Sequence, residues 1–328
     1  MLSDRDREII FKLITELTGA ARTSDSRQDG LISNVERRMR ETGTATVYDY
    51  LKLVESSPAE HAHLVSNLTI HTTSWFRENP HFVAFQEMLL EALEEEQIFK
   101  VWCAACSTGE EVYSFALMLE EFRRVHPKFD YRILGTDLDA ISLAAAERAV
   151  YPKKQMGFHV MRYKSHILEG SGKTAEFFTL SKEIRSRCRF RQNDLRNSSM
   201  QSEGPFHLCV CRNVLIYFSP ENIGRIVQNL INNVKDGGHL MLGHSEAILA
   251  SEFALHQRGH SVYTKRSHEI ESRARIEKPR VLCLESSAPV RRLYARAFGE
   301  LGFDPVIFGT ASEATTFLNF NDADLIVV

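Results

Sequence analysis

The sequence predicts an α/β protein in which an all-α N-terminal bundle precedes a parallel sheet. Apolar residues recur at helical spacing up to about residue 80, and from Phe82 onward helical patterns alternate with short buried-strand patterns. Such alternation is typical of a sheet with helices on both faces. The alternation breaks between Tyr151 and Phe190, where Gly170 marks a turn between short strand-like runs. We therefore expect a small antiparallel β insertion there.

Four clusters of apolar residues predict the N-terminal helices, which cover about residues 9–17, 31–39, 48–54 and 61–68. Gly19 and Gly43 stand where the first two helices would end, and Pro58 follows the third. Helices this short bury their apolar faces against one another, so we expect a small bundle.

The second region contains four main strand patterns with helical patterns between them. The predicted strands cover residues 98–105, 131–136, 206–211 and 239–243, and the predicted helices cover 111–125, 140–149 and 220–234. Residues 262–264 predict a late antiparallel strand. Within the insertion, short strands are expected at residues 177–180 and 188–190.

A separate unit is predicted after Pro279. Residues 267–278 are charged and weakly patterned, as expected of a linker. Strand patterns at residues 280–284, 305–308 and 324–328 then alternate with helical patterns at 290–301 and 312–320. These last ~50 residues are fewer than the ~100 of a doubly wound domain, so we expect an incomplete one.

Composition excludes several classes of protein. With 328 residues, 43% of them hydrophobic, the chain can bury a large core over more than one domain. A net charge of −3 argues against a general nucleic-acid binder. We find no signal peptide and no apolar run near the ~20 residues of a membrane span. Six cysteines without a secretion signal suggest reduced thiols in the cytoplasm.

The paired cysteines leave two interpretations. Cys103 and Cys106 form a C-x-x-C, and Cys209 and Cys211 form a C-x-C, so a zinc site is conceivable. Both pairs lie in apolar strand-like runs without a histidine at ligand spacing. Because cysteine commonly serves as a small hydrophobe in such runs, we predict no metal site.

The most informative segment joins the first predicted strand to the helix after it. The turn consists of small residues and one glycine, Gly109, and the helix then begins with Glu110 and Glu111. A tight strand-to-helix turn lets a ligand reach backbone amides. The two acids would repel a pyrophosphate, and the turn lacks G-x-G-x-x-G. This favours a nucleoside that carries an amino acid, such as S-adenosylmethionine (SAM).

Other polar residues stand at predicted strand ends. Asp137 follows the second strand and would accept hydrogen bonds from ribose hydroxyls. Alternatively it caps the next helix, a role that Asp139 could equally fill. Arg212 and Asn213 follow the third strand within an apolar run, where idle polar groups are costly to bury. The alternative there is a turn made by Asn213.

Two further segments have competing interpretations. Residues 72–78 join the two regions and contain paired aromatics before Arg77, which could hold a carboxylate or simply pack the junction. His244, Ser245 and Glu246 follow the fourth strand. These residue types occur in hydrolase active sites, but the chain has no G-x-S-x-G nucleophile motif here. We therefore expect a loop that shapes the ligand crevice.

Taken together, ordered blocks of the chain resemble the CheR family, the chemotaxis receptor glutamate O-methyltransferases. The blocks are TSWFRE (73–78), WCAACSTGEE (102–111) with Tyr113 and Ser114, TDLD (136–139), CRNVLIYF (211–218), and the glycines 237–238 leading to GHSE (243–246). The resemblance covers about residues 5–266. His71 and Asp194 stand where the family often has asparagine, and Trp75 stands in place of a usual phenylalanine.

The resemblance implies a domain arrangement. An N-terminal helical domain (1–80) is joined to a Rossmann-like, SAM-dependent methyltransferase domain (81–268) that contains a β-subdomain at about 152–190. A linker (269–278) and a truncated, flavodoxin-like segment (279–328) follow. That last segment resembles the first half of a response-regulator receiver domain. In that family acids follow the first strand, and here only Glu285 does so. The phosphoacceptor aspartate would lie beyond Val328, so we do not expect phosphorylation within residues 279–328.

The resemblance also implies a reaction and its residues. A methyl group would move from SAM to a glutamate side-chain carboxylate, leaving S-adenosylhomocysteine, and Arg77 is a candidate for orienting the groups. Because a glutamate carboxyl has a pKa near 4.3, it is ionised at neutral pH and no general base is needed. The family's cofactor-contacting positions correspond here to Thr73, Arg77, Glu110, Asp137, Asp194, Leu195, Arg212 and Asn213.

The implied partners are the acidic helices of methyl-accepting chemotaxis receptors in the cytoplasm. Arg37, Arg38 and Arg40 match the family's basic second helix, although a solvated helix face would look the same. In some members the β-subdomain docks a receptor's C-terminal peptide. Two other functions stay open: methylation of a small-molecule carboxylate, and a signalling scaffold that binds the cofactor or a receptor without turnover.

Overall fold

The computed structural model describes residues 2–20, 25–92, 98–197, 200, 202–266, 280–301, 303–318 and 325–327. The chain divides into two compact units, Met1–Lys265 and Arg266–Val328. The expected linker lies outside the described residues. Within these described ranges, no helix is both long and apolar enough to cross a bilayer.

The N-terminal bundle has the four helices that the sequence predicts. They are α1 (Asp4–Thr18), α2 (Asp25–Thr42), α3 (Val47–Ser56) and α4 (Pro58–Leu68). Ser3 and Asp6 form a capping box at the start of α1, and Gly19 ends it in the left-handed conformation at φ 71°. The bundle core contains Ile10, Ile14, Val35, Tyr50 and Leu64, all fully buried.

A buried ion pair crosses this bundle. Glu60 on α4 accepts hydrogen bonds from the Arg38 guanidinium (Nε to Oε1, 3.0 Å) and from the Tyr50 hydroxyl (2.9 Å). Burial alone would raise the pKa of Glu60, but these two hydrogen bonds hold it below its ordinary value. The Arg38 side chain is only 16% exposed, whereas Arg37 and Arg40 are exposed. Arg38 therefore does not belong to the basic surface on which the sequence placed it.

The second part of the first unit contains a seven-stranded sheet. Its strands are β1 (Phe99–Cys103), β2 (Tyr131–Asp137), β6 (Cys188–Gln192), β7 (Phe206–Cys211), β8 (Val234–Leu242), β9 (Leu255–Gly259) and β10 (Val262–Lys265). They lie side by side in the order β6-β2-β1-β7-β8-β10-β9. Strands β6, β2, β1, β7 and β8 are parallel, and β10 runs antiparallel to both its neighbours. The predicted parallel sheet is thus confirmed, and β1 is the middle one of its five parallel strands.

Helices cover this sheet as the alternation predicted. They are α5 (Asn79–Glu91), α6 (Glu110–Val125), α7 (Ala140–Arg148), α9 (Lys182–Arg187) and α10 (Pro220–Asn232). Val101 and Cys103 of β1 belong to one core, whereas Trp102 belongs to the other. The paired cysteines are buried among apolar neighbours, consistent with their interpretation as small hydrophobes.

The insertion is a small sheet in the order β3-β5-β4, made of β3 (Val150–Pro152), β4 (Ile167–Glu169) and β5 (Phe177–Leu180), with the short helix α8 (Phe158–Met161). Its strands pair antiparallel, as expected. The run at 188–190 is not part of it, because Cys188–Gln192 pairs parallel with β2 as the edge of the main sheet. Arginines at 189 and 191 made this edge strand look like a surface hairpin. The edge strand β9 was not predicted, because its residues 256–258 are polar and exposed and give no buried-strand pattern.

The second unit alternates strands and helices. Its elements are β11 (Arg280–Leu284), α11 (Ala288–Glu300), β12 (Asp304–Phe308), α12 (Ala311–Leu318) and β13 (Leu325–Val327). The three strands are parallel in the order β12-β11-β13. This is the predicted βαβαβ pattern; its resemblance to a receiver domain stays a prediction.

The Arg38–Glu60 pair gives a test of the bundle. Replacing Arg38 by alanine leaves the Glu60 carboxylate buried with only the Tyr50 hydroxyl, so we expect Arg38→Ala to lower the free energy of unfolding by about 3 kcal/mol. Because the pKa of Glu60 is lowered in the fold, this difference from wild type should shrink as the pH falls below about 4. Urea unfolding at several pH values measures both effects. Arg40→Ala, on the exposed side of α2, is the control and should unfold like wild type; equal stability of the two variants would contradict the assignment of Arg38.

Candidate functional site

A cavity of about 150 Å³ lies where the parallel strands end. Four of the five parallel strands contribute residues just after their carboxyl ends, which is where α/β sheets bind ligands. The junction segment and the helical bundle complete the wall. The main lining residues are Ala104, Ala105 and Ser107 after β1; Asp137 at the end of β2 and Leu138 after it; Asn193, Asp194 and Leu195 after β6; Arg212, Asn213 and Val214 after β7; and Thr72, Thr73, Ser74 and Arg77 of the junction.

The turn after β1 is held tightly. Ser107 and Gly109 both have positive φ, 48° and 96°. At Gly109 a Cβ atom would come within 2.8 Å of the Ala146 side chain and 2.9 Å of the Tyr151 hydroxyl, so only glycine fits. The Ser107 amide donates a 2.7 Å hydrogen bond to Oδ2 of Asp137, which ties the ends of β1 and β2 together.

Asp137 and Asp139 have different roles, which settles the alternative left open by the sequence. Asp139 is fully buried and caps α7 by accepting from the amides of Ile141 and Ser142. Asp137 lines the cavity and accepts hydrogen bonds from the backbone amides of Ser107 and Asp139. Burial raises the pKa of Asp137, and the two amides oppose that shift.

Arg212 lies between two acids at the end of β7. Its side chain is 1% exposed; Nη1 is 3.0 Å from Oε2 of Glu111, and Nη2 is 3.2 Å from Oε2 of Glu78. Burial raises the pKa of Glu111, and Arg212 counteracts this. Next to it, Asn213 has φ 57° and donates from Nδ2 to Oε1 of Glu78 at 3.1 Å. Asn213 therefore lies in the turn and lines the cavity, and its contact with a cofactor stays a prediction.

The two adjacent acids of α6 face different spaces. Glu111 lines the main cavity, whereas Glu110 does not: it is 4% exposed, accepts from the Thr108 hydroxyl, and lines a second cavity of about 200 Å³ beside Trp75 and Phe158. Consecutive helical residues point about 100° apart, so one of two adjacent acids must turn away. Glu110, the acid that the sequence assigned to the cofactor, therefore does not line the cavity that Asp137 lines, whereas its neighbour Glu111 does.

The junction segment lines the cavity with some of its side chains and packs against the insertion with others. Thr73 and Arg77 line the cavity, and Arg77 donates from Nη1 to the Thr72 carbonyl at 2.8 Å. Trp75 points into the insertion, with its ring 5.0 Å from that of Tyr151. His71 contacts α7 through Ser142 (3.1 Å) rather than lining the cavity.

Two of the residues predicted to contact the cofactor lie just after β6. Leu195 is buried and lines the cavity, and Asp194 lines it while holding Arg196 in a two-pronged ion pair. Sequence reasoning missed an apolar wall made by Thr18, Ala20, Leu31, Leu68, Ile70, Tyr217 and Phe218. The bridge between Ala20 and Phe218 brings the bundle against the sheet, a contact that spans the whole unit and leaves no local signal.

Comparison with known proteins identifies the chain. The family model described as "CheR methyltransferase, SAM binding domain" matches residues 71–263, and "CheR methyltransferase, all-alpha domain" matches residues 6–69. The chain belongs to the CheR methyltransferase family. It is a SAM-dependent methyltransferase with an all-α domain before a Rossmann-like sheet.

Curated relatives span most of this CheR family member. It is 28% identical to chemotaxis protein methyltransferase 2 of Pseudomonas aeruginosa over 79% of this chain and 92% of the relative. It is 30% identical to the chemotaxis protein methyltransferase of Klebsiella aerogenes over 80% and 90%, and 28% identical to that of Escherichia coli over 80% and 91%.

The cavity residues fit SAM by their chemistry. SAM carries a sulfonium, an ammonium, a carboxylate and two ribose hydroxyls. Asp137 and Glu111 offer acceptors for the hydroxyls and the ammonium, and the pKa values of both are raised by burial, a cost that a cationic ligand offsets. Arg77 at the rim offers donors for a carboxylate. The acids that line the cavity disfavour a phosphate-bearing coenzyme.

Asp137 can be tested against a matched residue at the other end of β2. Asp137→Asn removes the charge and an acceptor from the cavity, so we expect SAM affinity to fall about 10- to 100-fold. Asp130→Asn, just before β2 and outside the cavity lining, should bind SAM like wild type. Titration calorimetry measures both; unchanged affinity in Asp137→Asn would remove this residue from the site.

Proposed function

We propose that this protein transfers the methyl group of SAM to glutamate side-chain carboxylates of chemotaxis receptors, forming glutamyl methyl esters. The observation that carries the proposal is the acid-lined cavity at the strand ends, closed on one side by a helical bundle with exposed arginines. A protein substrate can dock on that bundle, whereas a small-molecule methyltransferase has no use for it. The names of the curated relatives support the same substrate class.

The chemistry requires alignment more than acid–base catalysis. Bound SAM would supply an electrophilic methyl group, and a glutamate carboxylate is already ionised at neutral pH. Arg77, half-buried at the rim, is the cation that we assign to orienting a carboxylate. Arg212 lines the cavity, and its guanidinium is enclosed by Glu78 and Glu111 and holds those two acids in place. Alignment of the reacting atoms and partial desolvation of the carboxylate then lower the barrier.

We assign the cofactor contacts to the cavity residues that the sequence named, with one exchange. The assigned residues are Thr73, Arg77, Asp137, Asp194, Leu195, Arg212 and Asn213, together with Glu111 in place of Glu110. This exchange is supported by the orientation of Glu111 toward Arg212 and the cavity.

The receptor surface in this proposal is the outer face of α2. Arg37 and Arg40 are exposed there, and Arg38 is committed to Glu60. Acidic receptor helices complement such a face. Because those helices are cytoplasmic, the protein would act in the cytoplasm.

Two other segments have proposed roles. The β-subdomain would dock a receptor C-terminal peptide; Val150, Leu168 and Phe177 are exposed apolar residues on its strands. The proposed boundaries remain 1–80, 81–268, 269–278 and 279–328. The last segment is proposed as receiver-like from its strand order and from Glu285 after β11.

A transfer assay tests the reaction. Incubation with methyl-labelled SAM and receptor-enriched membranes should label a receptor band, and mild base should release the label as methanol, because a carboxyl methyl ester is base-labile. Asp137→Asn at low SAM should label far less. Label on small molecules only, or SAM binding without any transfer, would contradict the proposal and favour a small-molecule enzyme or a scaffold, respectively.

The receptor surface has its own test. Reversing a charge on the α2 face should weaken docking without touching the cavity, so Arg40→Glu should raise the KM for receptor about 5-fold and leave the KM for SAM unchanged. Arg225→Glu, an exposed arginine on α10, is the control and should change neither value. Equal effects of the two reversals would show that overall charge, not the α2 face, is responsible.

A further inference from the structure

The turn after β7 presents three consecutive residues to the cavity, Arg212, Asn213 and Val214. Asn213 has φ 57°, in the left-handed region, which is uncommon for residues other than glycine but which asparagine adopts more readily than most. The backbone path of this turn therefore determines how these three residues meet a ligand.

Glu246 lies directly behind this turn and is only 6% exposed. Its Oε2 accepts from the backbone amides of Asn213 (2.6 Å) and Gly243 (2.8 Å). Its Oε1 accepts from the amides of Leu215 (2.7 Å) and Ile216 (3.4 Å). A buried carboxylate needs such compensation, and here the donors are backbone groups on both sides of the turn.

The conformation of the loop after β8 places the Glu246 carboxylate against the turn. The Glu246 amide donates to the Gly243 carbonyl at 2.9 Å, which folds the loop back on itself. A Cβ atom at Gly243 would lie 2.5 Å from Oε2 of Glu246 and 2.8 Å from the Asn213 amide. Glycine is therefore required for the close approach of the loop to the turn.

A second carboxylate holds the same turn from its other side. Glu78 of the junction accepts from Asn213 Nδ2 at 3.1 Å and from the His244 amide at 3.2 Å. Asn213 is thus held by its backbone through Glu246 and by its side chain through Glu78. Neither acid lines the main cavity.

We propose that Glu246 is a positioning residue: its carboxylate fixes the backbone of the Arg212–Asn213 turn in the conformation that binds the cofactor. It acts through Asn213 and touches neither cofactor nor substrate. This inference rests on the proposed function, because it assumes that the cavity binds SAM.

The decisive variant is Glu246→Gln, which keeps the size of the side chain. One amide nitrogen then replaces a carboxylate oxygen and faces two backbone donors. The hydrogen bonds that this oxygen accepted from those two donors are therefore lost. We expect the affinity for S-adenosylhomocysteine, measured by calorimetry on the full chain, to fall about 10-fold or more. In turnover assays the KM for SAM should rise while kcat at saturating SAM stays within about 3-fold. Wild-type affinity in Glu246→Gln overturns the proposal.

Glu120→Gln is the matched control for loss of a buried carboxylate. Glu120 is 3% exposed and accepts from Arg123 and Tyr131, and it does not line the cavity. This variant should lose thermal stability and keep wild-type affinity for S-adenosylhomocysteine. An equal loss of affinity in both variants would mean general destabilisation and would also overturn the proposal.

A second variant decides the matter if Glu246→Gln does not fold. Gly243→Ala keeps the Glu246 side chain but crowds both its Oε2 and the Asn213 amide, so the hydrogen bond between them cannot keep its geometry. Affinity should fall in the same way, and unchanged affinity overturns the proposal. The wild-type protein distinguishes a failure of this inference from a failure of the proposed function. If wild type itself fails to bind S-adenosylhomocysteine, the proposed function fails, whatever the variants do.

Discussion

The site depends on one buried cation. The Arg212 guanidinium is almost fully enclosed and lies within 3.2 Å of a carboxylate oxygen on Glu78 and within 3.0 Å of one on Glu111. These partners come from the junction segment and from the start of α6, so one side chain joins three elements of the site. Desolvating such charges costs several kcal/mol per ion, and only close pairing offsets that cost. The junction can therefore take few other positions relative to the sheet.

This arrangement also sets the charge that a ligand meets. Arg212 is directed at its two acids, while Asp137 and Glu111 face the cavity with their pKa values raised by burial. A cationic ligand relieves that cost, and an anionic one increases it. The same surroundings that make the acids costly to bury thus favour the sulfonium and ammonium of SAM over a pyrophosphate.

Much of this site could be predicted because parallel strands bring their carboxyl ends to one edge. Asp137 and Arg212 each follow a strand pattern, so sequence order alone placed them together. Glu110 and Glu111 could not be separated in this way, since the phase of α6 is set by its packing and not by its first residues. The strand at 188–192 was misplaced because an exposed edge strand with alternating arginines has the pattern of a surface hairpin. The apolar wall from the bundle depends on contacts between distant segments, which no local pattern records.

Residues behind the cavity and residues that line it have different roles. Asp139 caps α7 next to Asp137, and Glu246 accepts the amides of the turn that presents Asn213. Their partners are mainly backbone groups, so what they determine is the path of the chain. A lining residue can be exchanged at the expense of one contact with the ligand. A residue behind it moves several contacts at once, because the whole turn shifts. If Glu246 holds the turn as proposed, the binding strength of the cavity depends as much on acids behind its lining as on acids within it.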